Sequence, residues 1–225
     1  MKSNKTREKI LDASLKLFNE KKSSNVSTVQ ISAHMNISPG NLYYYFANKE
    51  EVVRCLWNER MAGEIGEIFA EVGQLRTVDQ LLEFLDRCFI HYTKYRFFYT
   101  ELPTLFVNDR ELVEVYKKVA DRNIKAFSEL FEHWIKTGDM RQMSESERMM
   151  LADNCWILSQ VTVANYDFAN TGQFDFEFFS GVASMHILAL MNPYFSEEMR
   201  SKVADELTAR GLSEKDYGEL KKKFS

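Results

Sequence analysis

Glycine and proline are scarce. Only 9 Gly and 3 Pro interrupt 225 residues, too few for the frequent turns that sandwiches and barrels need. No alternating apolar–polar run is long enough for a strand, so the expected class is all-α. Cysteine is almost missing. Cys55, Cys88 and Cys155 are isolated, odd in number and form no Cys-x-x-Cys. That excludes a disulfide framework and suits a reducing, cytoplasmic setting in which they act as small apolar residues. The four histidines (His34, His91, His133 and His186) share neither HxxxH nor ExxH spacing, so no helix-borne metal site is expected. Gly-rich phosphate loops and nucleophile elbows are absent. An enzyme is therefore not expected, and neither is a cofactor. The most apolar stretch, Phe178 to Phe195, is broken by Ser180, Gly181, Ser184, His186, Asn192 and Pro193, too polar for a membrane span. The charged N-terminus has no apolar core, and no secretory leader is expected.

What is present is a charge asymmetry and one unusual stretch. Net charge is −4, which alone argues against a nucleic-acid partner. Residues 1–50, however, hold eight Lys/Arg against four Asp/Glu, a surplus of four positive charges, so the remainder carries −8. A basic end on an acidic body suits a DNA-binding head followed by a domain with another task. The head is centred on Ser27 to Lys49, STVQISAHMNISPGNLYYYFANK. Ser27 with Gln30 forms a capping box that opens one short helix. Val29 and Ala33 share a face beside Ile31. The chain turns at Met35, Asn36 and Ile37, where Asn tolerates a left-handed backbone. Ser38 caps a second helix of seven or eight residues, with Pro39 at its first position. Two short helices joined this way match a helix-turn-helix.

The second helix has the chemistry of a reading element. Leu42 and Phe46 pack inward, which leaves Asn41, Tyr43, Tyr44 and Tyr45 outward. A phenol offers a hydroxyl and an apolar ring to phosphates and base edges. Gly40 lets the helix end approach a partner closely, at a cost of roughly 1 kcal/mol in propensity. Asn48 caps the next helix, and Lys49 at that N-terminus is a candidate phosphate clamp. The expected DNA-facing set is Ser27, Thr28, Gln30, Ser38, Pro39, Gly40, Asn41, Tyr43, Tyr44, Tyr45 and Lys49.

ISPGNLYYYFANKEE resembles the signature of the TetR family of bacterial transcriptional regulators. TREKILDASLKLFNE resembles that family's first helix, and NVSTVQIS its second. The resemblance covers about the first 60 residues. Three departures stand out: Lys22 and Asn36 occupy positions where the family usually has glycine, and Tyr45 one where it often has histidine. The expected organisation is a three-helix DNA-binding domain over residues 1–47, then a larger helical bundle over 48–225. The resemblance implies that this bundle binds a small effector and dimerises through its last two major helices, placed at 145–168 and 174–192. It also favours a repressor. The interface candidates are Trp156, Ile157, Val161, Val163, Phe178, Phe179, Val182, Ile187 and Leu190, apolar content beyond what one buried face needs. A homodimer follows independently from the reading helix, which is too short to specify a site alone and needs a palindromic operator.

Along the chain, Ile10, Leu11, Leu15, Leu17 and Phe18 stripe the first helix. A long helix from Asn48 to about Val72 is the natural lever between head and body. Thr77 caps the next helix. Pro103 is expected to stop a short segment, Asn108 to cap a long helix, Ser144 the following one, and Ser196 the last. Tyr92, Phe98, Trp134 and Trp156 are the candidate effector-binding residues, and their character points to an apolar or aromatic ligand.

Overall fold

The computed structural model describes residues 2–169 and 176–212, and no strand occurs among them. Residues 1–64 and 94–119 form one compact unit, and residues 65–93 and 120–225 another.

The first unit opens with α1 (Lys2–Lys21), a 3₁₀ turn at Ser23–Asn25, α2 (Thr28–His34) and α3 (Pro39–Tyr43). In α1, Ile10, Leu11, Leu17 and Phe18 are buried. α4 (Lys49–Leu56) runs directly into a π-helical turn at Trp57–Met61 and then into α5 (Ala62–Ala70). The expected single helix from Asn48 is thus continuous, but with one widened turn. Trp57 in that turn stacks on Phe98 at 5.0 Å and tilts against Tyr116 at 5.2 Å. The same turn holds α1 by charge. Arg7 Nη1 donates to Glu59 at 2.6 Å, and Arg60 reaches Asp12 and Glu8, each at 2.8 Å.

α7 (Arg96–Asn108) also belongs to this unit. It runs through Pro103, so proline does not stop it as expected. The proline forfeits its own N–H bond and crowds the carbonyl four residues before it, but Leu105 beyond it is buried, as are Phe97 and Phe98 before it. α8 (Arg110–Thr137) is capped by Asp109, not Asn108: Leu112 N–H donates to Asp109 Oδ1 at 3.0 Å. The difference has a tertiary cause, because Arg54 pairs with Asp109 at 3.3 Å and also with Glu111.

The second unit holds most of α5, α6 (Val78–Lys94), the greater part of α8, α9 (Glu145–Ala169), α10 (Phe176–Met191) and α11 (Glu197–Ala209). Its core is ring-rich. Phe69, Phe84, Phe127 and Trp156 form a cluster with centroids 5.1 to 5.9 Å apart. Asp86 ties helices together, accepting from Ser180 Oγ at 2.5 Å and from Arg210 at 2.9 Å. Met140 and Phe195 form an isolated antiparallel bridge.

The expected apolar surplus on α9 and α10 is smaller than the composition suggests. Trp156, Val163, Phe179 and Ile187 are buried in the core. Ile157 and Val161 are exposed, and Val182 and Leu190 are half-buried. Phe178 lies outside the described side chains, and residues 174 and 175 outside the described residues. With Met150, the exposed residues form a stripe along α9 at helical spacing.

Candidate nucleic-acid interface and interior cavity

The hairpin is built from local chemistry. The Ser27 hydroxyl accepts from Gln30 N–H at 3.2 Å, and Gln30 Oε1 accepts from Ser27 N–H at 2.8 Å, completing the box. α2 ends with Asn36 at φ 54°. Asn36 N–H returns to Ala33 O at 3.1 Å and Ile37 N–H to Ser32 O at 3.0 Å, the two bonds of a Schellman motif with Asn in place of Gly. Ser38 caps α3 by accepting from Asn41 N–H at 3.2 Å. α3 has five residues, fewer than expected, but a further helical turn follows: Tyr45 and Phe46 both donate to Leu42 O.

Ile31, Leu42 and Phe46 are buried beneath this hairpin. Val29 and Ala33 are exposed, so the inward face of α2 is Ile31 with Ser32. Tyr43 is 50% and Tyr44 77% exposed. Ser27, Gln30, Ser38, Pro39, Gly40 and Asn41 are exposed, while Thr28, Tyr45 and Lys49 are half-buried. The hydroxyls of Thr28 and Tyr43 meet at 3.0 Å, linking the two helices across the exposed face. Tyr45 lies edge-on to Tyr44 at 5.0 Å. Ser27, Thr28, Gln30, Tyr43 and Lys49 line one surface groove of about 390 Å³.

Lys49 already has an internal partner, which spacing did not reveal. Its Nζ donates to Ser23 O at 2.7 Å. Glu101 of α7 holds the other side of the same turn, accepting from Ser23 N–H at 2.5 Å and Ser24 N–H at 3.0 Å. Ser23 is thus gripped at both backbone groups, four residues before the Ser27 cap of α2. Lys22, which leads into it, has φ 66° and ψ 145°. The two positions where the family usually has glycine are therefore the two non-glycine residues with positive φ among those described. Glu101 carries no sequence signal, because its partners are 77 and 78 residues away. Elsewhere in the unit, the Arg7 guanidinium lies over the Phe46 ring at 5.1 Å. Its hydrogen bond holds the Glu59 carboxyl below its ordinary value. Burial raises the Cys55 thiol.

The second unit contains a small cavity of about 20 Å³. Tyr92 of α6 and Trp156 of α9 line it, together with the rings of Phe69, Phe84 and Phe127. Asn123 and Ser159 add an amide and a hydroxyl to the Tyr92 phenol and the Trp156 indole, and no charged residue among those described lines it. Cys88 and Cys155 also line it; burial raises both thiols, that of Cys155 to about 12, so they are not reactive thiolates. Phe98 and Trp134 sit elsewhere. Phe98 belongs to the stack on Trp57 in the first unit, and Trp134 packs against Phe195 at 6.2 Å. Among the described residues no helix is long and apolar enough to cross a membrane.

Residues 10–55 match the bacterial regulatory proteins of the tetR family, and residues 60–203 match TetR, described as bacterial transcriptional repressor. No curated protein matches the chain. Among solved structures, a TetR-family transcriptional regulator from Marinobacter aquaeolei VT8 is 28% identical. The match covers 92% of this chain and 97% of that one, with a TM-score of 0.74. A ketosteroid transcriptional regulator of Mycobacterium tuberculosis is 16% identical over 85% and 96% of the two chains, with a TM-score of 0.65. A transcriptional regulator from Saccharomonospora viridis, solved in complex with choline, is 14% identical over 84% and 96%, also at 0.65. With both of its parts matched in the same order, this chain belongs to the TetR family of bacterial transcriptional regulators.

Proposed function

We propose that the protein is a repressor that binds a palindromic operator as a homodimer and is released by a small uncharged apolar or aromatic effector. The observation that carries the DNA half is the outward row of Asn41, Tyr43 and Tyr44 on a helix capped by Ser38 and Pro39. That row lies within a segment carrying four surplus positive charges. Ser27, Thr28, Gln30, Gly40, Tyr45 and Lys49 complete the proposed face. Five helical residues span only about 8 Å at 1.5 Å per residue. Two copies in successive major grooves, about 34 Å apart, then supply enough contacts for specificity. The exposed stripe of Met150, Ile157 and Val161 on α9 supports pairing of two copies through α9 and α10.

The cavity near Tyr92 and Trp156 is the proposed effector site. It has room for about one water molecule, so a larger guest must separate the rings that line it. Phe69 belongs to α5, which continues the helical run that begins at Lys49. Displacing Phe69 therefore biases the helix that carries the head, and a state with altered half-site spacing becomes populated. The test is a footprint on the DNA beside the protein's own gene. Two symmetric protected patches one helical turn apart, both lost in Ile157→Lys, are the expected result. A single patch that persists in that variant would remove the dimer.

A further inference from the structure

We infer that the effector bears a hydrogen-bond acceptor, such as a carbonyl or ether oxygen, which Asn123 receives through its side-chain amide. This rests on the cavity being the effector site. Asn123 is fully buried and lines the cavity. Its Oδ1 accepts from Arg122 Nε at 3.3 Å. A guanidinium can only donate, so this contact fixes which end of the amide is oxygen. The other end, Nδ2, has no hydrogen-bond partner among the described residues. Buried donors left alone are uncommon because each forfeits its hydration.

The hydroxyl groups of the cavity are differently committed. Ser159 Oγ donates to Trp156 O at 2.8 Å and lies 3.4 Å from Tyr92 OH. Asn123 is thus a lining residue that is fully buried and holds a donor left unpaired among the described residues. No Lys, Arg, His, Asp or Glu is among the lining residues, and the nearby Arg122 guanidinium is turned to Asn123 Oδ1, so an ionised ligand would lose its hydration without a counter-charge in direct contact. A cation would in addition face an amide donor. The ligand class that fits is a neutral aromatic or apolar molecule with one acceptor oxygen.

The position also gives the contact a route outward within the same unit. The Arg122 guanidinium lies so close over Gly66 of α5 that a Cβ at position 66 would stand 2.7 Å from Nη2. A ligand that turns the Asn123 amide disturbs Arg122, and Arg122 presses on α5.

The test uses the full chain and three probes of similar size: acetophenone, ethylbenzene and benzoate, each titrated by calorimetry. Acetophenone is expected to bind roughly tenfold or more tighter than ethylbenzene, the loss from leaving a buried donor unpaired, and benzoate weaker than both. In Asn123→Leu, similar in size but without the donor, the preference for acetophenone should vanish or reverse. The wild-type comparison stands even if that variant folds poorly. Equal binding of acetophenone and ethylbenzene, or tighter binding of benzoate, overturns the inference while leaving the cavity as an effector site. Binding of none of the three overturns the inference and also removes the cavity from the proposed function.

Discussion

Replacing Glu101 should loosen the DNA-reading head although residue 101 lies on α7. The carboxylate accepts from the N–H groups of Ser23 and Ser24. Ser23 is 2% exposed, so water cannot take over that bond in Glu101→Ala. A lost charge-assisted bond with a buried donor left behind costs about 2–3 kcal/mol, and the exposed Ser24 N–H adds up to about 1. The expected loss is about 3 kcal/mol, or a fall of roughly 6–12 °C in melting temperature for a chain of this size. Glu101→Gln keeps one neutral acceptor and should lose about half as much. Lys49→Met removes the bond to Ser23 O and loosens the same turn. The two substitutions should therefore be less than additive, since each weakens what the other holds. Urea unfolding followed by circular dichroism measures wild type, the three single variants and the Glu101→Ala, Lys49→Met double variant. Because Ser27 caps α2 just beyond this turn, DNA affinity should fall in parallel. A Glu101→Ala protein within about 0.5 kcal/mol of wild type, or strict additivity with Lys49→Met, would mean that Glu101 does not hold this turn.

Further outcomes follow from the same geometry. Lys22→Gly should stabilise the protein by about 1 kcal/mol: it relieves a backbone strain of about 1–3 kcal/mol and incurs roughly 0.5–1 in unfolded-state entropy. A urea midpoint that moves down would contradict this. Tyr44→Ala and Asn41→Ala should erode discrimination between operator and random DNA by about tenfold each, with the fold unchanged; equal losses on both duplexes would assign them to phosphate contact only. The Glu59 carboxyl, held below its ordinary value by Arg7, contributes stability above that ordinary value that is lost as pH falls through its lowered one. The stability gap between wild type and Arg7→Met should therefore be wide at neutral pH and narrow in acid. A gap that stays constant from pH 7 to pH 3 would show that Arg7 acts by packing on Phe46 alone.

Much of the head is legible in the sequence because caps are local chemistry. Ser27, Ser38, Asn48, Thr77, Ser144 and Ser196 each accept from a backbone N–H two or three residues inside the helix they open. Asn36 takes the left-handed conformation that its residue type permits. What fails is decided at long range. Pro103 stays helical because flanking residues are buried, and Asp109 rather than Asn108 caps α8 beside Arg54. In a helix as short as α2, periodicity does not say which face turns inward. Val29 faces out and Ser32 is buried. Aromatic character does not distinguish Tyr92 and Trp156, which reach the cavity, from Phe98 and Trp134, which do not. Nor does any motif mark Glu101 or Asn123, whose roles arise from what folding brings beside them.

In the proposed function, the tyrosine-bearing hairpin reads DNA. The most direct measurement is the dissociation constant for a duplex taken from beside the protein's own gene, against a random duplex, across 50–200 mM salt, for wild type and Tyr44→Ala. The expected result is tight binding that weakens on the order of a thousandfold over that range, with a preference for the natural duplex that the variant loses. Salt-insensitive binding, or a preference that survives in Tyr44→Ala, would contradict it.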